Sequence, residues 1–292
     1  MTLFSNKGAV DLKIGFVGQG YVGRSYADYF ADRGFGVTRF SKEKPYIRNR
    51  NTISACDIVF IAVPTPTTSR GFDMSAVREA LSLVSRGNIA VIKSTVLPGT
   101  TESLQKEFPR IFVMHNPEFL REKSAAEDIR HPERNIVGTP RNSKIFRRKA
   151  GEILRLLPPA PYEAIVTSRE AELVKYAGNC FLYMKVVYAN MLYDLSRSIG
   201  SRPGIVLEAL GRDSRIGSGH LNPTEGNGRG AGGRCLIKDF AAFEAFYRRS
   251  LSDTMGSALL RSLSRKNIAL LRESKKDLDL LRGVYGPRFN NR

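Results

Sequence analysis

Residues 13–23, KIGFVGQGYVG, constrain the fold of this chain more than any other segment. An apolar run ends in a Gly-x-Gly-x-x-Gly motif that opens a helical pattern, which is the context that a dinucleotide-binding loop requires. Gly18 allows a tight turn, Gly20 lets the backbone approach a pyrophosphate, and Gly23 permits close packing of helix on strand. The free N–H groups of a helix N-terminus suit phosphates. The alternative is a glycine-rich turn without a ligand. The predicted cofactor-binding residues of this loop are Gly18, Gln19, Gly20, Tyr21, Val22 and Gly23.

Short apolar segments alternate with helical patterns through the first half of the chain. The pattern predicts strands at residues 13–18, 36–40, 56–63, 88–93 and 110–114, and helices at residues 21–33, 75–85 and 100–108. Strands that alternate with helices indicate an α/β fold with a Rossmann-type, doubly wound parallel sheet.

The second half of the chain has the sequence pattern of an all-helical domain. Apolar residues recur at helical spacing over residues 168–198, and helical patterns resume over residues 236–281 after a glycine-rich loop. We therefore predict a dinucleotide-binding domain at residues 1–165. A helical domain built on a long central helix follows at residues 166–292.

The charge balance is strongly basic, with 46 Lys and Arg against 28 Asp and Glu in 292 residues and a formal net charge of +18. Such an excess favours a polyanionic or phosphorylated partner through long-range attraction. Nucleic acid, an anionic membrane surface and nucleotide-linked substrates all stay open, as does a generically basic soluble protein. No stretch approaches the ~20 uninterrupted apolar residues of a membrane span.

The three cysteines, Cys56, Cys180 and Cys235, are too few to form a disulfide framework and indicate a reducing compartment. They make neither a C-x-x-C pair nor a zinc set with the three histidines, so we expect no metal site. Residues 1–11 lack the apolar core of a signal peptide. These features predict a cytoplasmic protein.

The end of the second predicted strand lacks the acidic residue that usually binds the ribose 2′-hydroxyl of NAD. The strand ends Arg39-Phe40-Ser41-Lys42, and Glu43 would serve only if the register shifted. A basic and hydroxylic ending suits a 2′-phosphate, with Ser41, Lys42 or Arg39 facing the ribose. NAD and NADP therefore both stay open as the cofactor.

A cysteine at the start of a predicted helix follows the glycine-rich loop. Cys235 lies beside Arg234 and Lys238, and Asp239 shares its helix face one turn on. Helix N-termini and nearby cations favour the thiolate, and a cysteine, a lysine and a carboxylate together suit covalent chemistry on a carbonyl. The alternative is a buried structural cysteine, which is our interpretation of Cys56 and Cys180.

Two further segments carry polar groups that fit carbonyl chemistry. Lys175 and Asn179 lie one turn apart on a helix and would stabilise an oxyanion, although such a pair is more often solvated surface. Glu118, in Asn-Pro-Glu-Phe-Leu-Arg-Glu just past a strand end, is a candidate general base or an ordinary loop carboxylate.

Taken together and in order, these segments resemble the UDP-glucose/GDP-mannose dehydrogenase family. The resemblance runs from about Lys13 to Phe246. Its motifs are the glycine loop, Val-Pro-Thr-Pro-Thr at 63–67, Lys-Ser-Thr-Val at 93–96, the 116–122 segment, Glu-Leu-x-Lys-x-x-x-Asn at 172–179, Asp-Ser-Arg-Ile-Gly at 213–217 and Gly-Gly-Arg-Cys-Leu-Ile-Lys-Asp at 232–239.

The resemblance implies oxidation of a nucleotide-sugar C6 alcohol to a carboxylate in two hydride transfers, with UDP-glucose as the default substrate. It implies that Cys235 forms a thiohemiacetal and then a thioester, and that Lys175 stabilises the oxyanion with Asn179 beside it. Asp239 would assist proton movement around the first oxidation. Glu118 would act in thioester hydrolysis and Thr95 would position water or substrate. Further cofactor contacts would come from Val63, Pro64, Thr65, Thr95 and Glu122. Substrate contacts would come from Glu118, Phe119, Leu120, Lys175, Asn179, Arg215, Gly232 and Lys238.

Family members form dimers through the long helix, with Arg215 reaching across the interface, and carry a third, UDP-binding domain. The chain is identified as a short member without that domain. Three explanations of the missing domain stay open. The site is an open one for another substrate, a separate chain supplies the domain, or the chain is a remnant that binds cofactor without turnover. The alternatives to UDP-glucose oxidation are the same chemistry on another phosphorylated or polymer-linked alcohol, and a basic nucleic-acid-binding module on a Rossmann fold, although no helix-turn-helix, zinc-finger or RRM signature supports the last.

Overall fold

The structure is a computed structural model that describes residues 12–224, 228–287 and 289. These residues divide into two compact units, one within Met1–Thr65 and Met74–Lys175 and the other within Pro66–Asp73 and Tyr176–Arg292. The strands are β1 (Lys13–Val17), β2 (Gly36–Phe40), β3 (Ile58–Ile61), β4 (Thr67–Thr68), β5 (Gly71–Phe72), β6 (Ile89–Ile92), β7 (Phe112–His115), β8 (Arg134–Thr139) and β9 (Tyr162–Thr167). The α-helices are α1 (Tyr21–Asp32), α2 (Ser75–Leu81), α3 (Thr100–Glu107), α4 (Ala125–Arg130), α5 (Lys144–Leu156), α6 (Ser168–Ser198), α7 (Pro203–Arg212), α8 (Gly233–Ser250), α9 (Thr254–Glu273) and α10 (Leu278–Tyr285), with 3-10 helices at Tyr46–Ala55 and Glu122–Ser124.

Seven of the described strands form the sheet of the first unit, in the order β2-β1-β3-β6-β7-β8-β9. Strands β2, β1, β3, β6 and β7 are parallel neighbours, and Ile14 of β1 faces Val37 of β2 on one side and Ile58 of β3 on the other. Because β1 pairs with both β2 and β3, the strand order reverses at β1 and β3. In open α/β sheets, ligands bind beyond the carboxyl ends of the strands at such a switch point. The predicted fold class is confirmed.

One strand pair departs from the parallel arrangement. Strand β8 runs antiparallel to β7, where His115 faces Gly138, and β9 then pairs with β8 in parallel. Strands β8 and β9 and helix α5 have no counterpart among the predicted elements, although α5 carries a readable signal. Its buried residues recur at helical spacing and Ser143 caps its N-terminus, accepting from the Phe146 amide.

The core of the first unit lies on the apolar strands. Strands β3 and β6 read Ile-Val-Phe-Ile and Ile-Ala-Val-Ile, and every residue of both is buried, as expected for central strands covered on both faces. Phe16 and Phe60 stack across β1 and β3 with ring centroids 5.1 Å apart, and Phe30 of α1 packs on both rings. This packing fixes the carboxyl edge of the sheet from which the candidate site is built.

Helix α3 receives its N-terminal cap from another element. Its N-cap residue, Gly99, has no side chain to offer, and both Glu172 carboxylate oxygens accept there, from the Gly99 and Thr101 amides at 2.6 and 2.7 Å. A carboxylate at this end satisfies orphan donors and complements the helix dipole. Burial raises the pKa of Glu172 to about 7. The cap joins the first turns of α6 to the loop that follows β6.

The second unit is helical apart from the two-residue strands β4 and β5. Along α6, Tyr176, Cys180, Tyr183 and Val187 are buried at helical spacing. The Tyr183 ring stacks on Phe240 of α8 at 3.9 Å between centroids. A second cluster joins α8, α9 and α10 through Ile237, Ile268, Leu271, Leu281 and Tyr285. Among the described helices, none is both long enough and apolar enough to cross a membrane.

Candidate functional site

The glycine loop between β1 and α1 has the geometry of a phosphate cradle. Gly18 has a φ of +93°, and its amide donates to the Phe40 carbonyl at 2.9 Å. A Cβ at Gly18 would overlap the Ala62 carbonyl oxygen, and one at Gly23 would overlap the Gly18 carbonyl oxygen. Both positions therefore require glycine, the first for its conformation and the second for the close approach of α1.

Gly20 differs from its two neighbours because a Cβ there would meet nothing within 4 Å. The open space lies at the N-terminus of α1, which has no side-chain cap and no acidic residue in its first turn. An uncapped helix N-terminus beside open space suits an anion. Gln19 turns its amide inward, donating to the Gly18 carbonyl at 3.1 Å, while Tyr21 and Val22 begin α1. The loop therefore fits a dinucleotide pyrophosphate.

The loops after β3 and β6 are tied together beside the glycine loop. Ser94 links them by accepting from the Val63 amide at 3.0 Å and donating to the Val63 carbonyl at 2.7 Å. The buried Thr65 hydroxyl donates to the Thr95 carbonyl at 2.7 Å. Pro64, between Val63 and Thr65, is exposed. The predicted cofactor residues Val63, Pro64, Thr65 and Thr95 thus lie on adjacent loops at the carboxyl edge of the sheet.

The cations predicted to face the ribose are already paired. Arg39 pairs with Asp28 at 2.6 Å, and Lys42 pairs with Glu79 at 2.7 Å. Arg50, at 3.0 Å, is a second cation on the same carboxylate, and the two lower the pKa of Glu79. Ser41 follows β2 directly, and its hydroxyl donates to the Glu43 carbonyl at 3.0 Å. Of the three predicted residues, Ser41 is the one whose side chain carries no ion pair.

Past the carboxyl ends of β6 and β7, the first unit buries an unusual set of charges. The Lys175 amino group lies 3.0 Å from a Glu118 carboxylate oxygen, with side-chain exposures of 10% and 7%. The other Glu118 oxygen accepts from the Leu120 amide at 2.8 Å. Lys175 is therefore not a solvated surface lysine, and Glu118 is not an ordinary exposed loop carboxylate. A buried charge persists when it is paired and hydrogen-bonded.

A second buried lysine, Lys93, lies near the pair. Its amino group is 2.6 Å from the Asn116 side-chain oxygen and 3.8 Å from the centre of the Tyr26 ring. Burial lowers the pKa of Lys93 to about 7. Burial also lowers the pKa of the neighbouring His115 to about 3, and the Lys93 charge adds to the effect. In the sequence Lys93 is marked only as part of a motif, because its partner Asn116 comes from the loop after another strand.

The residues that follow Glu118 have different environments. Phe119 is half-buried, with the Arg134 guanidinium over its ring at 3.9 Å and the Lys175 amino group at 5.8 Å. Leu120 is half-buried as well, whereas Glu122 is exposed at the start of a 3-10 helix. Phe119 and Leu120 therefore accompany the buried pair, and Glu122 faces solvent.

The second unit brings three predicted site residues together. The Asn179 amide donates to one Asp239 oxygen at 2.6 Å, and the Lys238 amino group donates to the other. Asp239 is buried on α8, one turn after Cys235, an exposed cysteine outside any disulfide in the first turn of the same helix. An accessible thiol beside a fixed carboxylate suits nucleophilic chemistry.

The glycine-rich loop before Cys235 is fastened by residues that the sequence analysis missed. The Ala231 amide donates to the Asn267 side-chain oxygen at 2.6 Å, and the Asn267 amide donates to the Ala231 carbonyl at 3.0 Å. The Gly233 amide donates to Asp277, and a Cβ at Gly232 would overlap that carboxylate. No motif marks Asn267 or Asp277. Gly226 and Asn227 of the predicted loop lie outside the described residues.

Other predicted residues are placed as follows. Arg215 lies on a turn after α7, where its side chain is 87% exposed and pairs with Asp213 of the same turn at 2.7 Å. Cys56 and Cys180 are buried, and burial raises the pKa of each thiol. Among the described residues, no group of three His, Cys, Asp or Glu side chains could hold a metal ion.

Two family models match this chain. One is the NAD binding domain of the UDP-glucose/GDP-mannose dehydrogenase family, over residues 44–155, and the other is the central domain of that family, over residues 169–267. The first match begins after the glycine loop, so residues 18–23 lie outside the matched range.

Relatives and solved structures agree with the family models. The chain is 31% identical over 277 residues to UDP-glucose 6-dehydrogenase of Rhizobium meliloti, covering 79% of this chain and 62% of the relative. It is 29% identical to UDP-glucose 6-dehydrogenase of Haloferax volcanii, covering 81% and 66%. The chain therefore spans less than two thirds of the length of either relative. A UDP-glucose dehydrogenase structure from Pyrobaculum islandicum superposes with a TM-score of 0.79 at 30% identity, over 96% of this chain and 72% of that one.

Proposed function

The chain belongs to the UDP-glucose/GDP-mannose dehydrogenase family, and we propose that it oxidises the C6 alcohol of a nucleotide sugar to a carboxylate in two steps. The observation that carries the proposal is Cys235, an exposed thiol in the first turn of α8, one turn before a buried carboxylate held by Asn179 and Lys238. In a member of this family, that arrangement supports covalent capture of an aldehyde. UDP-glucose is the first substrate to test, because similar proteins are named UDP-glucose dehydrogenases.

The glycine loop and the adjoining loops are proposed to hold the nicotinamide cofactor, NAD or NADP. The α1 N-terminus and the open side of Gly20 receive the pyrophosphate, while Val63, Pro64, Thr65 and Thr95 border the same edge of the sheet. The bound nicotinamide supplies the hydride acceptor for each oxidation. Residues 1–165 are the proposed cofactor domain, and residues 166–292 the proposed dimerisation and substrate domain.

Cys235 is the proposed nucleophile. Its sulfur bonds to the aldehyde carbon left by the first oxidation, and the carbonyl oxygen takes up a proton, which gives a thiohemiacetal. The second oxidation leaves the same carbon bonded to sulfur as a thioester. Water then breaks the carbon–sulfur bond, releasing the sugar carboxylate and returning the thiol. Asp239, oriented by Asn179 and Lys238, is proposed to move protons in these steps.

Lys175 and Glu118, the buried ion pair of the first unit, have separate proposed roles in the reaction. Lys175 supplies a positive charge for the oxyanion of the tetrahedral intermediates, where a fixed charge in a water-poor environment is most effective. Glu118 is proposed to assist thioester hydrolysis, with Thr95 positioning water or substrate. Phe119, Leu120, Gly232, Lys238 and Arg215 are the proposed substrate contacts, and Glu122 a proposed cofactor contact.

The proposed function is tested by the number of cofactor molecules reduced per sugar consumed. Purified protein is supplied with UDP-glucose and with NAD or NADP in separate reactions, and reduced cofactor is counted per sugar consumed. Two reduced cofactors per sugar, together with an acid product, are expected. Cofactor binding without reduction of either nicotinamide would contradict the proposal for this sugar and direct the assay to other phosphorylated or polymer-linked alcohols.

Replacing Ser41 by aspartate is expected to shift cofactor preference toward NAD. The carboxylate at the end of β2 would accept from the ribose hydroxyls of NAD and repel the 2′-phosphate of NADP. The ratio of the two dissociation constants should move by about tenfold to a hundredfold, since a like-charge contact costs roughly 1–3 kcal/mol. The measurement is a fluorescence titration with NADH and with NADPH. An unchanged ratio would show that Ser41 does not face the ribose.

We further propose a homodimer formed through α6. Phe181, Tyr188 and Leu195 follow one another at seven-residue spacing and are all more than half exposed, and Met191 and Ile199 extend the stripe. Apolar residues at heptad spacing form the seam of paired helices. An exposed stripe of this size needs a cover, because large apolar patches are rare on monomers. A second copy of the chain provides a matching stripe.

The double change Tyr188→Glu and Leu195→Glu is expected to convert the dimer to a monomer. Four like charges would meet in the paired seam without partners. Light scattering after size exclusion should report the mass of one chain instead of two. The control is Ile145→Glu, at an exposed apolar residue on α5, which should leave the mass unchanged. A wild-type mass of one chain would contradict the dimer outright.

A further inference from the structure

Lys93 is among the most deeply buried charged side chains of the described residues, at 1% exposure, and none of the roles proposed above uses it. It follows the last residue of β6, at the carboxyl edge of the sheet. Its amino group donates to the Asn116 side-chain oxygen at 2.6 Å and lies over the Tyr26 ring at 3.8 Å, with the Phe60 ring at 6.0 Å. A lysine is rarely buried so fully unless something holds it there.

Asn116 is the residue through which Lys93 reaches the candidate site. It follows β7 directly, and its backbone amide donates to the Ile92 carbonyl at 2.9 Å. Its side-chain amide donates to the Ile136 carbonyl of β8 at 2.8 Å. The Asn116 side chain therefore bridges Lys93 and β8 and has one orientation that satisfies both. Pro117 follows, and the residue before a proline is restricted to extended conformations.

Two residues beyond Asn116, the Glu118 carboxylate lies against Lys175. One oxygen meets the Lys175 amino group at 3.0 Å, and the other accepts from the Leu120 amide at 2.8 Å. Only Pro117 separates Asn116 from Glu118, and its ring fixes its own φ, so few backbone torsions separate the two side chains. Shifts of about 1 Å in such groups cost roughly a hundredfold in rate.

We propose that Lys93 is a positioning residue, which through Asn116 holds the loop after β7 so that the Glu118 carboxylate faces Lys175. Its catalytic consequence rests on the proposed function, whereas its effect on the loop does not. The charged and titratable groups around the Lys93 amino group are Glu118, Lys175, His115 and Tyr26, from the loop after β7, α6, β7 and α1.

The first test is amide hydrogen exchange in Lys93→Met, measured on the whole chain. Methionine fills a similar volume but leaves the Asn116 oxygen without its donor. We expect the Leu120 amide, which donates to Glu118, to exchange about tenfold faster, because local opening has lost one charge-assisted hydrogen bond. The Arg121 amide, which donates to Asp128 at 2.7 Å, should keep its wild-type rate and serves as an internal reference.

A second variant tests the route through Asn116. Asn116→Ala should accelerate Leu120 exchange as much as Lys93→Met does, and the double variant should exceed neither, since residues acting in series are not additive. Lys149→Met is the matched control, because this partly buried lysine of the same unit pairs with Glu152 away from the loop. Unchanged Leu120 exchange in both folded single variants would overturn the proposal.

The pH dependence of stability checks the burial of Lys93, and the effect on kcat against KM separates positioning from a purely structural role. Because the pKa of Lys93 is lowered to about 7 in the folded chain, the unfolded chain binds more protons between pH 7 and the ordinary lysine range. Stability of the wild type therefore rises with pH across that window. Lys93→Met should remove this rise. Acid formation by the variant should fall about tenfold to a hundredfold in kcat with little change in KM.

These outcomes distinguish the two proposals. Faster Leu120 exchange in a protein that oxidises no nucleotide sugar would leave the positioning role standing and contradict the proposed function. Lower kcat with unchanged Leu120 exchange would contradict positioning through Asn116 and leave the proposed function intact. A variant that loses stability and activity together, at every pH, would indicate a structural lysine and overturn the proposal.

Discussion

Replacing Cys235 by serine is expected to abolish acid formation while leaving cofactor binding intact. A serine hydroxyl at the start of α8 keeps the size and polarity of the thiol, but it is a far weaker nucleophile toward an aldehyde at neutral pH. Without the sulfur there is no thioester, and the second oxidation loses its substrate. The expected loss in acid formation is on the order of 10⁴-fold or more, the scale seen when a covalent nucleophile is removed.

The experiment follows reduced cofactor and sugar acid together. In the wild type the count is two reduced cofactors per sugar, and in Cys235→Ser acid should be undetectable, although NADH titration gives the wild-type dissociation constant. The matched control is Cys56→Ala, which removes a buried cysteine before β3 and should retain acid formation. Full acid output from Cys235→Ser would exclude the thioester route.

The glycine loop shows why some of the site follows from sequence. Gly18 is required by its own backbone conformation, with a φ of +93°, and Gly23 by its contact with the Gly18 carbonyl oxygen, so both requirements lie within the motif. A local motif therefore contains nearly all the information that its geometry needs. The long helix α6 was predictable for the same reason, since its apolar spacing is a property of one continuous segment.

Lys175 shows where sequence reasoning fails. On spacing alone, Lys175 and Asn179 are an exposed polar pair on one helix face, whereas in the structure Lys175 is buried against Glu118. That partner comes from a loop after another strand, and no periodicity relates the two. Lys93 and Asn267 were missed for the same physical reason, because each is defined by a partner that only the tertiary fold supplies.

The elements between β7 and α6 were missed for a different reason. Strand β8 runs antiparallel to β7, where an alternating α/β pattern predicts only parallel crossovers. Helix α5 did carry a periodic signal in Phe146, Ala150 and Ile153. The Ser143 cap and this spacing together would have sufficed to predict it, so this omission lay in the interpretation and not in the sequence.

Replacing Lys175 by methionine is expected to lower the free energy of unfolding by about 3–5 kcal/mol, because it leaves the buried Glu118 charge without its partner. The double change Lys175→Met and Glu118→Gln should recover most of that loss, since no charge then remains unpaired. The measurement is urea unfolding followed by far-UV circular dichroism, which suits a chain that contains no tryptophan.

Acid formation, unlike stability, is expected not to recover in the double variant. This difference distinguishes an ion pair that takes part in the reaction from one that only stabilises the fold. Both the single and the double variant should form no measurable acid, although the double variant is nearly as stable as the wild type, because the proposed oxyanion charge is gone in each. Arg169→Met is the matched control. Arg169 lies on the same helix and pairs with Glu102 at the surface, so its removal should cost at most about 1 kcal/mol and spare activity. Recovery of acid formation in the double variant would show that the pair stabilises the fold and has no part in the chemistry.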